Sequence, residues 1–167
     1  MKFICSCCGK ELEEWPSLAY NAPANYYGLS EDEKRNLASL DDDFCTIRHS
    51  GQTDRFIRAT LTQKVLDCCQ NLDYGVWVSL SEKSFEDYIG NFTGDDHEAI
   101  YFGWLSNNLP NYEFKGSIPT SVFTRKCGQR PEIVPHEGHD HPFVRDYYNG
   151  ITKEEAERRI NNMLESK

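Results

Sequence analysis

The chain has 167 residues, 38% of them hydrophobic and 13% aromatic, with a formal net charge of −9, which suits one folded domain over 1–167. So acidic a chain repels phosphate backbones and anionic lipid heads, so nucleic acid and membrane partners are disfavoured and a basic protein is the macromolecular partner that fits. No apolar run reaches membrane-spanning length and the start, Met1-Lys2-Phe3-Ile4, is not a secretory signal, so the expected location is cytoplasmic, with the seven cysteines as thiols or metal ligands rather than disulfides.

In chain order, residues 3–10 read as a short strand entering a tight turn. The stretch from Glu13 to Leu29 carries Pro16 and Pro23 and reads as a loop whose aromatic residues lie on the core. Ser30 and Glu33 form a capping box, so a helix is expected from Ser30 to about Leu40, ended by Asp41, Asp42 and Asp43. That aspartate run reads as a solvated turn rather than a cation site.

From Phe44 the period changes to two. Residues 44–49 and 54–62 read as a strand pair joined by a hairpin loop, and Gly75–Leu80 as another strand. Ser81 caps a helix that carries Phe85, Tyr88, Ile89 and Phe92 on one face. Three further short strands follow, in Ile100–Leu105, around Ser121–Lys126 and in Pro131–Pro135. The last helix is expected over about 152–165, opened by Thr152 and Glu155 as a second capping box. Strands in runs with helices between and after them predict an α+β fold, a largely antiparallel sheet with flanking helices.

The chemistry concentrates at the start. Cys5-Ser6-Cys7-Cys8-Gly9 contains Cys-x-x-Cys-Gly, in which the two-residue spacing lets Cys5 and Cys8 reach one ion and the glycine permits the turn. That is half of a zinc site, and distant residues must complete it: Cys45 with His141, or Cys45 with His49. On a strand Cys45 and His49 lie about 13 Å apart, so only a bend brings that pair together. A redox role for the Cys5–Cys8 pair is disfavoured because Pro16 follows where such motifs begin a helix. Cys68 and Cys69 are neighbours, which strains both a shared metal and a mutual disulfide, and they are expected in a connection. His136, His139 and His141 form a histidine-rich loop. His141 itself can be a ligand, a general base or a satisfied half-buried side chain.

Aromatic residues cluster around Tyr101, Phe102, Trp104 and Tyr112. With Trp77, and with Asn107, Asn108 and Asn111 as polar contacts, they are either core or the lining of a groove for a peptide or small ligand. No phosphate loop, nucleophile elbow or metalloprotease motif is present.

Several stretches together, "FICSCCGK", "DFCTI", "GVWVSLSEKSFEDY", "YFGWLSNNLPNY", "RPEIV", "HPF" and "NGIT", resemble a bacterial family of cytoplasmic proteins, domain of unknown function family 2199. The resemblance runs from Phe3 to about Ile160 and brings no activity with it. Cys5, Cys8, Gly9, Cys45, Trp77, Ser79, Gly103, Trp104, Arg130, Pro131, His141 and Pro142 match it. Cys7, Cys68, Cys69, Cys127, His136 and His139 fall outside it. The leading functional expectation is a non-enzymatic binding protein with a structural zinc turn. The rival is a metal- or cysteine-dependent enzyme using Cys5, Cys8, Cys45 and His141 around an open coordination position.

Overall fold

The structure is a computed structural model that describes residues 1–166; Lys167 lies outside them. In chain order the elements are β1 (Lys2–Ile4), β2 (Glu11–Glu13), β3 (Leu18–Ala19), α1 (Ala24–Tyr27), α2 (Glu31–Leu37), β4 (Ala38–Leu40), β5 (Phe44–His49), β6 (Gln52–Gln63), β7 (Leu72–Ser79), α3 (Glu82–Gly90), β8 (Ile100–Leu105), β9 (Pro119–Phe123), β10 (Glu132–Pro135), α4 (Pro142–Asn149) and α5 (Lys153–Glu165). This is the expected α+β class with an antiparallel-rich sheet.

Five of the strands close on themselves. Strands β6, β7, β8, β9 and β10 pair antiparallel with each successor, and β10 returns to β6. An odd number of alternating strands can close only through a parallel pair. That pair is Glu132 beside Thr60, and the Thr60 amide donates to Pro131 O at 2.8 Å. Period-two alternation turns Ile57, Ala59, Leu61, Val76, Val78, Tyr101, Val122 and Ile133 into the buried core. Gly103 belongs to the same packing: a Cβ there would meet Val122 Cγ2 at 3.0 Å and Ser79 O at 3.2 Å. The glycine that interrupts the apolar run of β8 thus lets β8 sit close against both β7 and β9.

The long strand β6 spans the molecule. Midway along it, Phe44 on β5 lies beside Ile57 and packs edge-on against Phe85 and Tyr88 of α3. Near its end, Gln63 donates to Asp146 O of α4 at 2.7 Å, and the Leu66 amide donates to Ile151 O just before α5. A second apolar cluster covers the other face of β5, β6 and β7. It consists of Cys45, Ile47, Phe56 and Trp77, with Tyr20, Tyr26, Leu29, Ala38 and Leu40 packed against it. The aromatic loop does lie on the core, as expected, although Ala24–Tyr27 form a single helical turn within it.

Several boundaries differ from the expected ones: β6 begins at Gln52, β7 at Leu72 and β9 at Pro119, each two or three residues early. Helix α2 has its complete capping box but ends at Leu37, and Ala38–Leu40 pair antiparallel with β5. Sheet pairing outcompetes the extra turn of helix there. The histidine-rich stretch 136–141 is a loop, as expected, and helix α4, which was not expected, begins directly after it at Pro142.

Strands β1 and β2 stand apart from the main sheet as a two-stranded antiparallel hairpin. Trp15, just beyond β2, packs against the main core and its amide donates to Gln70 Oε1 at 3.3 Å. The Gln70 amide returns the contact by donating to Glu13 O at 3.1 Å. One residue of the β6–β7 connection therefore holds both sides of the chain leaving the hairpin.

Candidate metal centre

The turn of this hairpin is built around Cys5. Its amide donates to Lys10 O at 2.9 Å and the Gly9 amide donates back to Cys5 O at 2.8 Å. Gly9 takes φ +68, a left-handed conformation that a glycine adopts without penalty. Inside the closed turn the Cys7 amide donates to Cys5 Sγ at 3.3 Å. The Cys8 and Cys7 N–H groups, with the Cys69 thiol, pull the Cys5 thiol down to about 7. The backbone is shaped to receive a thiolate.

Opposite the turn stands Cys69, in the β6–β7 connection beside Gln70. The sulfurs of Cys5, Cys7 and Cys69 all lie within 4.8 Å of one another. Cys69 also donates a hydrogen bond to Cys8 Sγ at 3.4 Å. Its own thiol is pushed up to about 12 by its hydrogen bonds to Cys5 and Cys8, since its ionisation would set a second negative sulfur beside the first. In a tetrahedral thiolate site with metal–sulfur bonds of about 2.3 Å, neighbouring sulfurs are about 3.8 Å apart. The cluster is near that scale, and an all-sulfur donor set suits soft or borderline ions rather than magnesium or calcium. The group can therefore hold a metal ion, and a cation would replace the mutual repulsion of the thiolates by attraction.

Only part of the expected ligand set is here. Cys5 and Cys8 are in the cluster region, as the motif implied. Cys45 is not: it points from β5 into the second apolar cluster, is 1% exposed, and has its thiol pushed up to about 12 by burial. His49 bonds Asp54 at 3.1 Å on the same hairpin, away from the thiols. His141 caps α4, where Nδ1 accepts the Phe143 amide at 3.1 Å and Nε2 donates to Glu113 O at 2.9 Å. Both ring nitrogens are spent, and the ring stacks on Phe114 at 5.0 Å, so no lone pair is left for a metal. Among the described residues the group that could hold a metal ion is Cys5, Cys7 and Cys69. Cys7 and Cys69 had no local signal beyond the doubled cysteines themselves; what brings them together is the docking of the hairpin on a connection 61 residues away.

A cleft of about 660 Å³ opens beside the sulfurs. Cys8 and Cys69 line it together with Leu12, Trp15, Pro16 and Lys153. The aromatic residues left as either core or groove divide between the two faces. Trp77 is fully buried and its indole donates to Tyr20 O at 3.0 Å. Asn107, 3% exposed, is an internal bracket: Oδ1 accepts the Trp77 amide at 2.7 Å and Nδ2 donates to Ala22 O at 2.9 Å. Tyr112 is locked between Asp146 and Arg159, with 2.6 Å to each. Trp104 instead faces outward, 43% exposed, in edge contact with Phe102 on the outer face of β8.

Residues 4–151 match the family model described as "Uncharacterized protein conserved in bacteria (DUF2199)". The chain belongs to that family. The DUF2199 match takes in all four clustered cysteines and the five-stranded barrel, and ends just before α5. No curated protein and no solved structure matches the chain. Among the described residues no helix is long and apolar enough to cross a membrane.

Proposed function

We propose that the protein is a non-catalytic binding domain whose N-terminal hairpin is fixed to the barrel by one zinc ion. The observation that carries this reading is the convergence of Cys5, Cys7 and Cys69 from two distant segments, with Cys8 Sγ 3.4 Å from Cys69 as the fourth sulfur within reach. Zinc is the metal because it is redox-inert, accepts an all-thiolate tetrahedron and commonly serves to hold short turns in place. Thiolates of this kind persist in a reducing compartment, which favours the cytoplasm. The net charge of −9 favours a basic protein partner over nucleic acid.

The cleft beside Cys8 and Cys69 supports a second reading, an enzyme with three thiolates and one solvent-filled coordination position. X-ray absorption at the zinc edge on protein made without added metal separates the two. Four sulfurs at about 2.3 Å support the structural site; three sulfurs and one oxygen support the enzyme. Protein that carries no metal, with every exposed thiol freely titratable, would remove both. Cys69→Ser is expected to weaken zinc binding more than about a hundredfold, because even outer-shell losses cost 10–100-fold. Cys45→Ser and His141→Asn leave the metal content unchanged.

A further inference from the structure

Cys8 and Cys69 share features that a closed metal site does not require. Both are exposed, both line the cleft, and neither sits in a strand. Their sulfurs are 3.4 Å apart, about 1.4 Å beyond a disulfide bond of about 2.0 Å. Of the other five, Cys5 and Cys45 are buried and, like Cys7 and Cys127, do not line this cleft; Cys68 does line it but is half-buried and packs against the core.

We propose that Cys8 and Cys69 are a redox-active dithiol, a modification site that a small-molecule disulfide reaches through the cleft and converts to a Cys8–Cys69 disulfide. The Cys8 thiol gives its proton to solvent and its thiolate attacks one sulfur of the incoming disulfide. That reagent's sulfur–sulfur bond breaks, a mixed disulfide forms on Cys8, and one small thiolate leaves and is protonated. Cys69 then loses its proton, attacks the adjacent Cys8 sulfur and expels the second small thiol. The protein is oxidised by two electrons and the small disulfide is reduced to two thiols. The product ties the hairpin turn to the β6–β7 connection by a covalent bond in place of an ion. The site uses sulfurs of the proposed zinc centre, so the bound metal and the disulfide exclude one another; only this exclusion rests on the zinc reading.

Full-length protein, stripped of metal with a chelator under reductant, is exposed to oxidised glutathione and followed by intact mass and fragmentation mapping. The expected product has lost two hydrogens and carries a single crosslink from Cys8 to Cys69. Cys69→Ser is expected to stop at a stable glutathione adduct on Cys8, with an unchanged far-ultraviolet circular dichroism spectrum as the check on folding. Stoichiometric zinc is expected to slow the wild-type conversion at least tenfold. Free thiols at Cys8 and Cys69 after full exposure, a crosslink between other cysteines, or no adduct in folded Cys69→Ser would overturn the proposal. Crosslinking at an unchanged rate with zinc present would support the dithiol and count against the zinc centre alone.

Discussion

Cys45 shows how burial decides what a cysteine can do. It sits on β5 beside Phe56, in the cluster that contains Trp77. Burial in an apolar cluster penalises the thiolate, which pushes the thiol up to about 12 and leaves it a small neutral side chain at physiological pH. Its folded-state value lies above that of the unfolded chain, so between about pH 9 and 12 the native protein holds more protons than the unfolded one. Stability therefore falls as pH rises through that window. Tyr88, pushed up to about 12 by the same cause, adds to the fall. Thermal unfolding followed by circular dichroism should show a midpoint that is flat near neutrality and drops above pH about 9, with a shallower drop in Cys45→Ala. A thiol reagent at pH 8 should modify Cys127 readily and Cys45 only after denaturation; equal rates would contradict the burial. The sequence placed Cys45 on a strand correctly, but alternation alone gives two faces and does not say which one a second layer covers. His141 has the same history. Its neighbour Pro142 is a favoured first helical residue, but the carbonyl that occupies Nε2 belongs to Glu113, 28 residues away, and no local pattern announces it.

At the scale of elements, α5 depends on its interior more than on its end. Thr152 accepts the Glu155 amide at 3.1 Å, yet the Glu155 carboxylate does not close the expected box and instead binds Arg158 and Arg159 at 2.8 Å and less. Arg159 is the reason: it is 3% exposed and its remaining donors reach Tyr74 at 3.3 Å and Tyr112 at 2.6 Å. Burial works against this cation, but Tyr74, Glu155 and Tyr112 outweigh it and hold the group above its usual range. Arg159→Met is expected to cost about 3 kcal/mol in urea unfolding, because it strands the carboxylate and phenol oxygens that it now satisfies. Thr152→Ala should cost about 1 kcal/mol, the usual loss of a cap. The opposite ranking would mean that the helix end, not its buried face, holds α5 in place. The start of this helix was legible in Thr152 and Glu155, and so were the strands of strict period two. An arginine on an apolar face was not, since arginines are rarely so deeply buried and only its tertiary partners explain it. Helix α1 begins just after Pro23, which read locally as a break, and α4 begins at Pro142.

For the whole molecule, the question is what keeps β1 and β2 where they are. A lone two-stranded hairpin is marginal in water, and this one pairs with no strand of the main sheet. Its ties are the Gln70 hydrogen bonds to Glu13 and Trp15, and the sulfur contacts of Cys69. The barrel has a different source of cohesion, a closed ring of strands around a core that reaches 0% exposure at Ile57, Ala59, Leu61, Val76 and Val78. The individual strands were readable from alternation, but ring closure was not. It depends on β10 lying parallel to β6 through the Glu132–Thr60 pair, a contact between residues 72 apart in the chain and encoded in no local pattern. The two units should therefore respond separately to metal removal. Hydrogen exchange after chelation is expected to show protection at residues 2–13 falling at least tenfold while β6 and β7 keep theirs, because the energy of local opening is set by the contacts of each unit. Gln70→Ala should deepen the loss in the hairpin even with zinc present, since it removes the hydrogen-bonded half of the attachment. Equal loss across hairpin and barrel would mean that the cysteine cluster supports the whole core, and unchanged protection in the hairpin would mean that Trp15 and Gln70 suffice without any ion.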